Sequence, residues 1–291
     1  MKRIAFVTDS TAYLSEEQAT SLGVSVVPLS VIFQDATYRE GVDISQREFY
    51  EKLQKSSSLP TTSQPPVGEF VSVFEKLLLD HDVIMCLLLS NGLSGTLRSA
   101  ETAAGMVNGD VIVVDSKIAS YGIAGPLLDG ITMARQGASP EQIQSYWEEK
   151  REVMHSRFLV DTLEYLHKGG RIGGAAAVFG ALLQIKPILT VTDGKIELHD
   201  KVRTHKRALD RILADFDEHA SQGRPIRLGV IHAERLEDAQ SVMHQLTSRY
   251  SNVYAEIGEL GPVVGAHTGP GLLALVWYEA DPELLKAQFG R

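Results

Sequence analysis

The sequence predicts an α/β protein of two domains: an N-terminal parallel-sheet α/β domain over residues 1–154 and a C-terminal α+β domain with a mixed sheet over residues 155–291. Three observations carry this expectation. The chain has 291 residues, and at roughly 100–200 residues per domain that is enough for about two cores. In the first half, short fully apolar runs alternate with amphipathic helical patterns, as expected of strands covered on both faces. In the second half, Asp193-Gly194 sits between two short apolar runs, a hairpin signal that introduces antiparallel pairing.

The elements follow in order. Residues 4–7 read as a strand ending at Asp9-Ser10-Thr11, residues 15–22 as a helix, and residues 24–29 as a second strand. Residues 46–54 read as helix, and residues 60–66, with three prolines, as a polar loop. Val67, Phe70, Val71, Phe74, Leu77 and Leu78 recur at helical spacing over residues 67–79. Residues 83–89 form a continuous apolar strand, 91–96 a glycine-rich turn, 97–107 a helix and 111–114 a strand ending at Asp115-Ser116. Helices are expected over 123–136 and 140–153, which places the domain boundary near 153–157. Beyond it, 158–160 reads as a strand and 162–167 as a short helix, before a cluster of Gly169, Gly170, Gly173, Gly174 and Gly180. Strands 187–192 and 196–198 flank the hairpin turn. A helix over 206–220, a strand over 227–232, a helix over 235–250 and strands over 253–259 and 272–278 complete the chain.

Composition narrows the function. Hydrophobic residues are 44% and charged residues 22% of the chain, ordinary values for a soluble globular protein. Lys+Arg is 28 against Asp+Glu 37, a net charge of −9, which disfavours non-specific binding to nucleic acid. Cys86 is the single cysteine, so no internal disulfide is available. Its place in an apolar run reads as a small buried hydrophobe. No apolar run approaches the ~20 residues of a membrane span, and the N-terminal run is too short for a signal peptide. A soluble cytoplasmic protein is expected. The P-loop lysine, the G-x-S-x-G elbow and the His/Cys spacings of a metal site are all missing, so neither metal nor cofactor is expected.

In an open parallel sheet, ligands bind beyond the carboxyl ends of the strands. Three such ends carry small polar residues: Asp9-Ser10-Thr11, the turn Ser90–Thr96, and Asp115-Ser116-Lys117. In the turn, Ser94 and Thr96 offer hydroxyls and the following helix offers amides that favour an anion; a simple helix cap is the competing reading. Thr61, Thr62 and Ser63 form a second hydroxyl cluster before Gln64-Pro65-Pro66, where capping again competes. The third cluster, residues 261–271, holds four glycines, two prolines and His267. That imidazole is suited to donate to a carboxylate or to pair with one as a cation. Small and apolar residues over 169–183 suit either close helix packing or a narrow lipid tunnel. Lys201, Arg203, His205, Lys206 and Arg207 form a basic patch, either a solvated helix start capped by Thr204 or a contact for phosphate or an acidic partner.

Taken in register, the segments VTDST (7–11), PTTSQPP (60–66), LSNGLSGT (89–96), VVDS (113–116), LEYLHKGGRIG (163–173) and GAHTGPG (265–271) resemble the DegV family. That family includes the fatty-acid-binding subunit of bacterial fatty acid kinase. The resemblance implies a long-chain fatty acid in a tunnel between the two domains. Its carboxylate would be held by Thr62, Ser94 and His267, with Thr61, Ser63, Gly95 and Thr268 adjacent, and its acyl chain would be lined by Ala176, Phe179 and Leu182. It also implies that the protein is a carrier rather than a catalyst. A separate ATP-dependent kinase would phosphorylate the bound lipid, with Arg171, Arg203 and His205 as partner or phosphate contacts. The acyl phosphate would pass to phospholipid synthesis through transient membrane or acyltransferase contact, from a monomer. Asn91 departs from the serine expected there. A lipid-responsive regulatory protein and a small-molecule phosphate transferase or hydrolase are the competing functions.

Overall fold

Pro28 cannot donate a ladder hydrogen bond, and the second strand, expected over 24–29, ends before it at Val27. The computed structural model describes residues 2–34, 36–181 and 185–290. From the N-terminus the elements are β1 (Ile4–Asp9), α1 (Glu16–Leu22), β2 (Val24–Val27), β3 (Ser30–Phe33), β4 (Ala36–Arg39), α2 (Gln46–Lys55), β5 (Thr61–Ser63) and α3 (Val67–Leu78). There follow β6 (Val83–Leu88), α4 (Thr96–Ala104), β7 (Asp110–Asp115), α5 (Tyr121–Arg135) and α6 (Pro140–Val153). The chain separates into two units, Met1–Glu152 with Gly261–Val263, and Val153–Leu260 with Val264–Arg291.

In the first unit, β2-β1-β6-β7 form a sheet paired in parallel throughout. The run read as a buried strand is β6, all six residues of which are buried. Its side chains alternate between two apolar layers, as a pleated strand requires. Met85 and Leu87 join Phe6, Ile123, Leu127 and Trp147 on one face. Ile84, Cys86 and Leu88 join Ala5, Val7, Phe70 and Phe74 on the other. Burial pushes the Cys86 thiol well up, so it is an inert core residue. Helix starts follow from sequence: Ser15 with Gln18 and Ser45 with Glu48 form reciprocal capping boxes.

A second sheet in this unit, β4-β3-β5, is antiparallel and was not expected. The polar loop over 60–66 contains β5, because Thr61 and Thr62 are β-branched and pair with Ile32 and Val31. Three residues are too few to show a period. The segment Gly261–Val263 joins this unit through Glu40. That buried carboxylate accepts from Val263 N at 2.7 Å and from the hydroxyl of Ser10. Burial foremost pushes Glu40 up to about 7, against its hydrogen bonds from Ser10, Val263 and Tyr13.

The second unit contains β8 (His155–Leu159), α7 (Glu164–Lys168), a 3₁₀ segment Gly173–Ala181, β9 (Lys186–Thr192), β10 (Lys195–Val202), α8 (His205–Ala220), β11 (Ile226–His232), α9 (Leu236–Arg249), β12 (Val253–Glu259), α10 (Pro262–Thr268) from Val264 onward, β13 (Leu273–Glu279) and α11 (Pro282–Phe289). Its sheet runs β10-β9-β8-β13-β11-β12. Only β11 and β12 pair in parallel and the other pairs are antiparallel, the mixed sheet that was expected. Asp193 and Gly194 both take positive φ, 46° and 75°, as the tight turn between β9 and β10 demands. The core gathers Ile212, Phe216, Leu228, Val230, Leu246 and Trp277.

Two helices here correct the sequence reading. Residues 261–271 read as a loop, yet α10 lies within them. Pro262 opens it and Gly269, at φ +71°, follows its end and donates to the Gly265 carbonyl, the usual asymmetry of helix ends. After the last strand, α11 starts on Asp281, which accepts from Glu283 N, with Pro282 in its first turn.

Candidate functional site

The carboxyl ends of β1, β6 and β7 interlock. Asp9 is wholly buried. One of its oxygens accepts from Leu89 N at 2.7 Å, and the other from the amide and hydroxyl of Thr11. Burial pushes this carboxyl up, and those three donors pull it back. Asp115 accepts from Asn91 N and Lys117 N. Ser90 N donates to Ile118 O at 2.9 Å and Ser116 N to Leu88 O at 3.1 Å. The two Asp-Ser strand ends therefore brace the turn between β6 and α4. Sequence reasoning placed both motifs near a ligand but gave them no part. The signal was that each aspartate ends a strand beside the same turn.

Within that turn, Leu93 N and Ser94 N both donate to the Ser90 carbonyl at 3.0 Å. Ser94 is half-buried. Its oxygen accepts from Thr96 N at 3.3 Å and lies 2.9 Å from the Thr96 hydroxyl. Ser94 thus holds the first amide of α4 from one residue before the cap position, which is Gly95 and has no side-chain cap. Either hydroxyl of this pair can be the donor, and when it is that of Thr96 the Ser94 proton is available to a third group. Thr96 itself is fully buried. Asn91 is exposed and reaches the network through its backbone N–H.

The hydroxyl cluster lies on β5. Thr62 is half-buried while Thr61 and Ser63 are exposed, because successive strand residues face opposite ways. Gln64 closes the gap to the turn: its Nε2 donates to Ser99 Oγ at 2.8 Å. Its amide also lies so close to Gly95 that a Cβ there would stand 1.9 Å from Oε1. Residues 61–66 and 89–96, far apart in sequence, are therefore in contact.

In the second unit, His267 occupies the last turn of α10 and is half-buried. Its ring lies against Gly169, where a Cβ would stand 2.2 Å from Nδ1. Burial, then the charge of Arg171, lowers His267 to about 4. The imidazole is therefore neutral near pH 7. Of the two roles read from sequence, donor and cation, this favours the donor. Thr268 is buried, and its hydroxyl points at the Val264 and Gly269 carbonyls. Arg171 is half-buried and donates to the Gly169 carbonyl at 2.7 Å.

Ala176 is exposed, and among the described residues of its segment Ala175 and Val178 are buried. Phe179 is half-buried and stacks on His167 with ring centroids 4.2 Å apart. Leu182 lies outside the described residues. In the basic patch, Arg203 is exposed, and Thr204 accepts from Arg207 N at 3.2 Å as the cap of α8. His205 differs from its neighbours. It is half-buried with Nε2 2.7 Å from the Arg235 guanidinium, and burial and Arg235 lower its pKa. It is an acceptor for Arg235, so the positive charge of this patch comes from its lysines and arginines. Among the described residues no helix is long and apolar enough to cross a membrane, and no three His, Cys, Asp or Glu side chains are grouped to hold a metal ion.

Comparison with known proteins gives this arrangement a context. The DegV family model, whose description is that of an uncharacterised protein, matches residues 3–280. A DegV domain-containing protein of Halalkalibacterium halodurans is 44% identical over 280 residues, 96% of this chain and 99% of that protein. The crystal structure of DegV from Bacillus subtilis, described as a fatty acid binding protein, superposes with a TM-score of 0.91 at 39% identity, covering 96% of this chain and 100% of that one. A Thermus thermophilus DegV family protein, described by its fatty acid binding, superposes with a TM-score of 0.90 at 38% identity, over 96% and 100% of the two chains. With one family model spanning nearly all of the sequence and such relatives matched along their whole length, the chain belongs to the DegV family.

Proposed function

We propose that this protein binds a long-chain fatty acid and presents its carboxylate to a separate ATP-dependent kinase. The observation that carries the reading is the contact of residues 61–66 with the turn 89–96 through Gln64 and Gly95. It brings the Thr62 and Ser94 segments together at the carboxyl ends of a parallel sheet. These hydroxyls, the amide of Gly95 and the neutral imidazole of His267 are the proposed carboxylate donors. Thr62 is preferred to Thr61 and Ser63 because it alone of the three is half-buried. A buried carboxylate requires several such donors. The fatty acid binding of the B. subtilis and T. thermophilus relatives supports the same ligand class.

The acyl chain supplies the affinity. At ~0.8 kcal/mol per buried CH₂, about fifteen methylenes contribute roughly 12 kcal/mol before ordering costs. The head-group donors then fix where the carboxylate stands. In the proposed reaction a carboxylate oxygen attacks the γ-phosphorus of ATP on the kinase, releasing ADP and leaving an acyl phosphate on this protein. Arg171 and Arg203 are the proposed partner or phosphate contacts. The carrier acts in the cytoplasm as a monomer, touches the membrane or an acyltransferase only transiently, and delivers the acyl phosphate to phospholipid synthesis.

Organic extraction of the purified protein followed by mass spectrometry tests the first step, with release of a long-chain fatty acid as the expected result. A protein that yields none and takes up no stearate on titration refutes it. Ser94→Ala and His267→Ala are each expected to slow phosphorylation of bound lipid by the kinase, and unchanged rates in both variants would remove the assigned carboxylate site.

A further inference from the structure

Two aspartates beside the Ser94 turn differ in how they accept hydrogen bonds. Asp9 uses both oxygens: Oδ2 takes Leu89 N at 2.7 Å, and Oδ1 takes Thr11 N at 2.9 Å together with the Thr11 hydroxyl. Asp115 uses one oxygen for both donors, since Oδ1 takes Asn91 N at 3.3 Å and Lys117 N at 2.8 Å. The four amides belong to the three strand-end segments, and two of them, Leu89 and Asn91, lie within the motif that carries Ser94. Ser90 stands between those two amides, and its carbonyl holds Leu93 N and Ser94 N. Its own hydroxyl accepts from Gly92 N at 3.1 Å. From Asp115 the hydrogen bonds lead through the Ser90–Asn91 peptide to Ser94 N, while Asp9 holds Leu89, the residue that enters the turn.

We propose that Asp9 and Asp115 are positioning residues that hold the Leu89–Thr96 turn so that the Ser94 hydroxyl meets the ligand carboxylate, and that they do so by acceptor geometry rather than by charge. The proposal rests on the fatty-acid reading for its ligand, while the geometry of the turn can be measured without one. The two aspartates respond differently to asparagine. At position 115 the amide oxygen replaces the one oxygen in use, and both donors keep their acceptor. At position 9 the amide nitrogen must face either Leu89 N–H or Thr11 N–H, two donors meeting in a buried site. A buried donor left without an acceptor is costly.

The test is amide hydrogen exchange by NMR on the lipid-free full chain, joined to stearate titration by calorimetry. Asp115→Ala is expected to lower protection at Asn91 or Lys117 and to weaken stearate binding, both by roughly tenfold, and Asp115→Asn is expected to rescue both. Asp9→Asn is expected to lower protection at Leu89 or Thr11 by roughly 10- to 100-fold and to weaken stearate in step. Asp115→Asn as damaging as Asp115→Ala would show that the charge matters and overturn the proposal. So would Asp9→Asn with both amides still protected, or loosened amides with unchanged stearate affinity. Should Asp9→Asn not fold, the Asp115 pair decides alone. Failure of the unsubstituted protein to bind stearate would refute the ligand reading, and the exchange pattern would still decide whether these carboxylates hold the turn.

Discussion

Gly169→Ala tests the packing of His267 directly. The added Cβ would stand 2.2 Å from Nδ1 of His267 and 2.9 Å from the Tyr165 carbonyl oxygen, against 3.4 Å for ordinary contact. The first overlap is 3.4 − 2.2, or 1.2 Å. The carbonyl belongs to the backbone of α7 and cannot swing aside, so the imidazole must move. Overpacking of this kind costs about 1–3 kcal/mol. Gly169 has φ −75°, so the methyl adds no backbone strain and the whole effect comes from contact. Urea denaturation should show that loss, and stearate titration should show weaker binding because the proposed donor is displaced. Gly169→Ala combined with His267→Ala removes the ring that the methyl strikes. The double variant should be more stable than the sum of the single losses predicts, by about 1 kcal/mol or more. Strict additivity, or a Gly169→Ala protein with the parent's stability and stearate affinity, would refute the packing argument.

Three further outcomes are expected. Burial, foremost, lowers both His267 and His155 to about 4, so each favours the neutral form in the fold. Their contribution is complete above the unfolded value of about 6.5 and is lost as pH falls toward 4, up to about 3 kcal/mol for His267 and less for the more solvent-screened His155; urea titrations across this range read it. Glu40 acts with the opposite sign. Its folded value of about 7 means that stability is complete below the unfolded value of about 4.5 and is lost as pH rises to 7, by about 3 kcal/mol. Glu40→Gln should remove that loss and expose the acid dependence of the histidines, and an unchanged pH profile would contradict the assignment. Phe74→Ala, at a fully buried site packed 5.7 Å from Phe70 between ring centroids, should cost about 3–5 kcal/mol in denaturant unfolding.

Legibility in the sequence depended on whether a signal was local. The β6 strand was readable because six consecutive apolar residues have one simple explanation in a covered sheet. The β9–β10 hairpin was readable because Asp-Gly matches the positive φ values its turn needs. The short β5 and α10 were not, since composition dominates where period cannot show. Glu40 was illegible for a different reason: its acceptor role depends on Val263, 223 residues away. Among 37 acidic residues, nothing local marks the one whose partners arrive from so far along the chain. The candidate site residues stood out in the sequence as residue types in motifs, but the hydrogen bonds that support them did not. Asp9 meets Leu89 across 80 residues and Gln64 meets Ser99 across 35, and only the sheet order brings these pairs together.

The β3–β5 pairing has a consequence for how the protein can vary. A strand that slips by one residue turns its inward side chains outward, which ordinarily abolishes a binding surface. Here β5 is Thr61-Thr62-Ser63 against Ile32, Val31 and Ser30. A slip in either direction would replace the hydroxyl of Thr62 with that of Thr61 or Ser63. Three hydroxyl residues in succession therefore buffer this edge of the fold against insertions and deletions in the proline-rich segment beside it. The oxygen would shift along the strand while its chemistry stayed the same, so loop length could drift among relatives without loss of a donor.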